Sequence, residues 1–151
     1  MIKIICVGKQ KENYLKQAQS EYEKRLSKYT KLQVIELKDY KDDNIKQALK
    51  KEKEQIIKHL KETDNIIILD LNGKQFTSEE FAENLNKELI KNSNITFLIG
   101  SSNGLDEEIK KLSTKKISFS PLTFPHGLFR IILLEQIYRS FKILNNESYH
   151  K

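Results

Sequence analysis

Apolar and polar residues alternate along the chain in blocks that predict strands and helices in turn. Residues 2–7, 65–71 and 94–99 are nearly continuous apolar runs, each followed closely by glycine. Such runs are typical of central parallel strands that are covered on both faces. Residues 32–37 alternate between apolar and polar and predict a further strand. Residues 115–119 predict a fifth, shorter one.

The segments between these strands carry apolar residues at helical spacing. Residues 11–28, 78–89 and 106–112 predict amphipathic helices. Residues 39–61 are rich in charge but keep one apolar stripe, which favours a solvated helix; an RNA-facing helix is the alternative. Five strand–helix alternations predict a single three-layer α/β domain over residues 1–151, with a mostly parallel sheet.

The chain is organised around the stretch from Ile117 to Leu144. Both prolines, Pro121 and Pro125, lie in the loop that follows the last strand, and a long helix begins there. Proline suits the first turn of a helix because its missing N–H costs nothing there. The following turns are apolar on nearly every side, so we expect a partner subunit to cover part of this helix.

Composition narrows the class of protein. The chain has 151 residues, of which 32% are charged and 38% hydrophobic, as in soluble globular proteins. Its apolar runs are too short to span a membrane, and its amino terminus does not resemble a signal peptide. Cys6 is the only cysteine, so no disulfide framework is expected. We therefore expect a cytoplasmic protein.

The formal net charge of +6 permits RNA binding but does not establish it. Only three of the 27 basic residues are arginine, and 21 acidic residues are interleaved with them. A biased genome could produce the same excess of lysine.

The five glycines and two prolines gather where the predicted strands end. Ligands bind at the carboxyl ends of strands in open α/β sheets, so we expect a pocket there. The alternative is that strand–helix turns simply require glycine. The loop from Gly100 to Gly104 matches neither a dinucleotide nor a P-loop fingerprint. No metal-ligand array and no GxSxG elbow is present.

The motifs resemble one family, the small SPOUT-class methyltransferases of the RlmH family, which methylate N3 of a pseudouridine in 23S ribosomal RNA. The resemblance covers nearly the whole chain. It rests on KIICVGK, EYEKRL, LDLNGKQFTSEEFA, FLIGSSNG, SFSPLTFPHGLFRIILLEQIYRSFKI and SYHK. It implies a carboxyl-terminal trefoil knot, a homodimer, S-adenosyl-L-methionine as methyl donor without a metal, and the ribosome as partner, with neither DNA nor a membrane involved.

The resemblance also implies which residues form the site. The positions that match the cofactor pocket are Leu69, Gly100, Phe119, Ser120, Pro121, Leu122, Thr123 and Phe124. Those associated with RNA and the reacting base are His126, Arg139, Tyr149, His150 and Lys151. The chain departs from the family at Ser101, where glycine is usual; a positive φ there would strain serine mildly.

Several points stay open at this stage. His126 and His150 are both candidates for deprotonating the base, while Arg139 and Lys151 are candidates for phosphate or base contacts. Arg139 could instead form an internal ion pair with Glu135. Because a short polar tail normally frays, we expect residues 149–151 to act only when a partner subunit orders them. The rival functions are a non-catalytic ribosome-binding factor and a nucleotide-binding α/β enzyme.

Overall fold

Five parallel strands form one sheet, in the order β2-β1-β4-β3-β5, in the computed structural model of residues 1–151. The elements alternate along the chain as the sequence predicts. They are β1 Ile2–Val7, α1 Asn13–Leu26, β2 Leu32–Leu37, α2 Ile45–Ile57, β3 Asn65–Lys74, α3 Ser78–Lys91, β4 Ile95–Ile99, α4 Glu107–Leu112, β5 Lys115–Ile117 and α5 His126–Leu144.

The three continuous apolar runs form the three central strands, β1, β4 and β3. Every residue of β1 and β4 is buried, because helices cover the sheet on both faces. The alternating run forms β2 at one edge, where only Leu37 is buried. The hydrophobic pattern alone therefore separates central from edge strands.

The helices divide between the two faces of the sheet. α1, α3 and α5 share the larger core cluster, whereas α2 and α4 share the smaller one on the opposite face. α5 packs against both α1 and α3 and buries Leu133, Leu134 and Ile137 completely. This arrangement confirms the three-layer α/β prediction.

α5 is less enclosed than its sequence suggests. Leu128 is exposed, and Ile131 and Ile132 remain partly exposed. The single chain therefore buries one side of α5 and leaves a second apolar side partly open to solvent.

Several element boundaries differ from the sequence prediction, and two of the differences have a clear local reason. α2 begins only at Ile45, because the Asn44 side chain accepts hydrogen bonds from the Lys46 and Gln47 amides and caps the helix there. β3 continues past Leu71 to Lys74, which pairs with Ile117 after a register shift.

The carboxyl-terminal tail is ordered against its own subunit, which corrects the expectation that only a partner could order it. Asn146 adopts a positive φ of 53° and turns the chain after α5. The Glu147 carboxylate accepts a hydrogen bond from the Tyr29 hydroxyl. Tyr149 packs edge-on against Tyr138, with ring centroids 5.0 Å apart. Aromatic contacts and side-chain hydrogen bonds offset the tendency of this short segment to fray.

Candidate cofactor pocket and carboxyl-terminal cluster

A cavity of about 450 Å³ lies where β3, β4 and β5 end. It is large enough for a cofactor-sized ligand. The second half of β3 and the loops after β4 and β5 line it, in the region where glycine and proline placement predicts a pocket. The residues matched to the cofactor that line it are Leu69, Gly100, Phe119, Ser120, Leu122, Thr123 and Phe124. Pro121 lies in the same loop but does not reach the cavity wall.

Gly100 packs so closely that only glycine fits. A Cβ there would lie 2.6 Å from the Gly104 carbonyl carbon, and closer still to its oxygen. The turn is held by the Gly104 amide, which donates to the Ser101 carbonyl at 2.8 Å. Gly104 has a φ of +82°, a conformation that favours glycine. The glycines of this loop therefore build a compact turn against the cavity.

Ser101 is tied to α2 through a buried carboxylate. Its hydroxyl donates to Glu52 Oε2 at 2.9 Å, and the Tyr40 amide donates to Oε1 of the same side chain at 3.1 Å. Glu52 is only 2% exposed. Ser101 has no positive φ, so the strain considered from the sequence is absent. Serine at this position gives the cavity loop an anchor that glycine lacks.

We predict that Ser101→Ala raises the dissociation constant for S-adenosylmethionine about threefold to tenfold, since one hydrogen bond to a charged group is lost. Isothermal titration calorimetry measures this directly. Glu54→Gln serves as a control, because Glu54 is exposed on the same helix. Equal affinities of Ser101→Ala and the unaltered protein would contradict an anchoring role.

The loop after β5 forms another part of the cavity wall. The Leu122 amide donates to the Ser120 hydroxyl at 2.9 Å, which fixes a tight local turn. Phe124 stacks on Phe129, and Phe119 packs edge-on against Phe81. Pro125 then caps α5. Aromatic packing thus holds this loop in place.

Three titratable side chains line the cavity: Asp70, Lys110 and His126. Lys110 Nζ lies 3.7 Å from Asp70 Oδ2. Burial lowers the pKa of His126, although the Ser101 backbone opposes this shift. The neutral imidazole that results can accept a proton. The sequence interpretation missed Asp70, although it directly follows the predicted contact Leu69. It also missed Lys110, because a lysine on a charged helix does not indicate that its side chain faces a pocket.

The remaining candidates gather in a second place, the carboxyl-terminal cluster, defined here as Glu79, Glu135, Arg139, Tyr149 and His150. Arg139 donates to Glu135 Oε1 from Nε at 2.9 Å and from Nη2 at 2.6 Å, so the internal ion pair does form. Tyr149 donates to Glu135 Oε2 at 2.9 Å. His150 lies 3.1 Å from Arg139 Nη1 and 2.7 Å from Glu79 Oε1.

The electrostatics of this cluster follow from its contacts. Desolvation, then the hydrogen bond to Glu135, raises the pKa of Tyr149, so its phenol stays protonated near neutral pH. The His150 contact lowers the pKa of Glu79. Lys151 is exposed and lies at the end of the chain. The proposed catalytic residues are thus divided: His126 lies at the cavity, Arg139, Tyr149 and His150 lie at the cluster, and Lys151 belongs to neither.

No group of three or more histidine, cysteine or acidic side chains is close enough to bind a metal ion. None of the five helices combines the length and apolarity that crossing a membrane requires.

A parallel α/β sheet with a glycine turn and a proline-rich loop facing one cavity is the architecture of a ligand-binding α/β enzyme. A family model described as "Predicted SPOUT methyltransferase" matches residues 1–150. The chain belongs to this methyltransferase family, whose fold includes the carboxyl-terminal trefoil knot.

Curated relatives match over their whole length. The chain is 52% identical to Ribosomal RNA large subunit methyltransferase H of Caldicellulosiruptor saccharolyticus, with 100% of both chains covered. It is also 52% identical to the protein of the same name from Clostridium botulinum strain Kyoto, with 99% of each chain covered. A Clostridium perfringens relative with that name is 50% identical over 99% of each chain.

Proposed function

We propose that this protein transfers the methyl group of S-adenosyl-L-methionine to N3 of a pseudouridine in 23S ribosomal RNA of the large subunit, on the assembled ribosome in the cytoplasm. The observation that carries the proposal is the cavity formed where the strands end, in a chain of the SPOUT methyltransferase family. The names of full-length relatives support a ribosomal RNA substrate.

The cavity residues suit an adenosyl ligand. Phe119, Leu122 and Phe124 offer apolar and aromatic surface for a flat base. Asp70 offers a carboxylate that can accept hydrogen bonds from hydroxyl or ammonium groups. The close approach at Gly100 keeps the backbone itself at the cavity wall.

When bound, the cofactor supplies an electrophilic methyl group on a sulfonium. The residues of this chain must then hold the acceptor in line and take the proton from N3. His126 is one candidate for the base, because burial favours its neutral form at the cavity. His150 is the other, and its ring is oriented by Arg139 and Glu79.

A homodimer is part of the proposal. Leu128, Ile131 and Ile132 are exposed or partly exposed on α5, and a twofold interface would cover this apolar surface on both subunits. We expect analytical ultracentrifugation to give twice the chain mass of 17.8 kDa. A monomer at micromolar concentration would contradict the dimer. In such a dimer, the tail of each subunit, held by Glu135 and Glu79, would complete the partner's site.

The decisive experiment is incorporation of labelled methyl groups into free ribosomal RNA, isolated large subunits and assembled ribosomes, followed by mapping of the modified base. We expect the label at N3 of one pseudouridine and mainly in assembled ribosomes. Ribosome binding without cofactor binding would instead indicate a non-catalytic factor.

A further inference from the structure

A glycine in the first turn of α5 packs directly against the loop that follows β1. The Gln10 side chain lies against Gly127, and its Nε2 donates to the Gly127 carbonyl at 3.1 Å. A Cβ on Gly127 would overlap with Gln10 Oε1 and would lie 2.9 Å from Leu15 Cδ1. The close contact between this loop and the helix therefore requires glycine at position 127.

Gln10 belongs to a group of polar side chains that joins the loop to the helix in both directions. Gln10 is only 6% exposed. Its backbone N–H donates to Glu36 Oε2 at 3.0 Å, and Glu36 Oε1 lies 3.0 Å from Arg130 Nη1. Arg130 Nη2 donates to the Gly8 carbonyl at 2.9 Å. Arg130 thus reaches from the helix to the loop, while Gln10 reaches from the loop to the helix.

The residue next to this contact is His126, which begins α5 and lines the cofactor cavity. The N-cap residue, Pro125, makes no side-chain hydrogen bond to the helix. The first turn of a helix has few internal hydrogen bonds, so its position depends on contacts from other elements. Gln10 supplies such a contact at Gly127, one residue from His126.

We propose that Gln10 is a positioning residue for His126. By holding the Gly127 carbonyl, Gln10 fixes the first turn of α5 and keeps the imidazole at the wall of the cavity, within reach of bound S-adenosylmethionine. Gln10 itself does not line the cavity. This inference rests on the cofactor proposed above and adds a residue that acts on the cavity from outside it.

The pKa of His126 reports where its ring lies. Burial lowers this pKa, and the charge of Arg130 acts in the same direction. The groups that oppose the shift are the Ser101 backbone, Asp39 after β2 and Glu52 on α2. The other charged groups at the cavity wall are Asp70 and Lys110. Because burial dominates, a ring that leaves the wall becomes more exposed, and its pKa should rise towards the ordinary value of histidine.

Gln10→Met tests the proposal, because it keeps the length of the side chain but removes the donor to Gly127. Nuclear magnetic resonance titration of the cofactor-free protein should give a higher pKa for His126 than in the unaltered protein. Calorimetric titration should show the dissociation constant for S-adenosylmethionine raised about threefold or more, the effect of one lost hydrogen bond. Gln17→Met is the matched control, since Gln17 is exposed on α1, and it should change neither value.

Gly127→Ala tests the same contact from the helix side. Alanine favours a helix more than glycine does, but its Cβ must displace the Gln10 amide. We expect the same rise in the His126 pKa and the same loss of affinity. In a Gln10→Ala protein that amide is absent, so Gly127→Ala should add little further change. Additive effects would mean that Gly127 acts through Leu15 and would overturn the role of Gln10.

The inference requires both changes in the folded Gln10→Met protein. An unaltered pKa of His126 or an unaltered dissociation constant would overturn it. A lower melting temperature as the only effect would show a purely structural role and would overturn it too. If Gln10→Met does not fold, Gly127→Ala decides by the same criteria. Absence of cofactor binding by the unaltered protein would instead refute the proposed function.

Discussion

Gly100→Val is expected to lower the affinity for S-adenosylmethionine at least about tenfold, or roughly 1.4 kcal/mol, while the fold is retained. A side chain at this position meets the Gly104 backbone first and the Leu105 side chain next. Its Cβ would lie 2.6 Å from the Gly104 carbonyl carbon and 2.9 Å from Leu105 Cγ. Because backbone cannot swing aside, the turn from Gly100 to Gly104 must move, and with it one wall of the cavity.

Calorimetric titration measures this effect, and circular dichroism establishes that the variant folds. Ser93→Val is a matched control, because Ser93 is exposed just before the amino end of the same strand, β4. It should bind the cofactor normally. Normal binding by a folded Gly100→Val protein would place the cofactor elsewhere.

Most of the fold could be predicted from the sequence, because the strands and helices follow from patterns of apolar residues that lie close together in the chain. The apolar runs that form β1 and β4 are buried along their whole length. α5 begins at His126, one residue after the start predicted at Pro125. These patterns depend on residues close together in the chain, which a sequence shows directly.

The site follows from the sequence only in part. The positions of glycine and proline predict where the pocket lies. The partners of its polar residues lie far away in the sequence, and no hydrophobic periodicity predicts such contacts. Ser101 binds Glu52, which lies 49 positions away. Glu52 and Glu54 both lie on the lysine-rich α2, and nothing in the sequence shows that Glu52 is the buried one. Similarly, nothing local shows that the tail meets Glu135 and Glu79 on two different helices.

Arg130 departs most from the hydrophobic pattern of the sequence, because it is a single cationic residue within the apolar part of α5. It is only 2% exposed. Its Nη1 lies 3.0 Å from Glu36 Oε1, and its Nη2 donates to the Gly8 carbonyl at 2.9 Å. The backbone N–H of Gln10 donates to the other carboxylate oxygen of Glu36, Oε2. One guanidinium therefore joins α5 to the ends of both β1 and β2.

Arg130→Met is expected to lower the free energy of unfolding by about 2 kcal/mol, because the Gly8 carbonyl loses its partner and Glu36, whose side chain is 31% exposed, loses a charge-assisted hydrogen bond. Chemical denaturation followed by circular dichroism measures this change. Arg25→Met is the matched control. Arg25 forms a surface pair with Glu21, and its side chain is 41% exposed. Removal of such a pair costs about 0.5 kcal/mol or less.

The second variant, Glu36→Gln, separates charge pairing from packing. If the carboxylate left without a partner causes part of the loss, the double variant Arg130→Met/Glu36→Gln should recover that part, since no unpaired charge remains. Strict additivity of the two single changes would show that Arg130 acts through packing and the Gly8 carbonyl alone. Equal losses in Arg130→Met and Arg25→Met would show that the pair of Arg130 with Glu36 contributes no more than a surface pair.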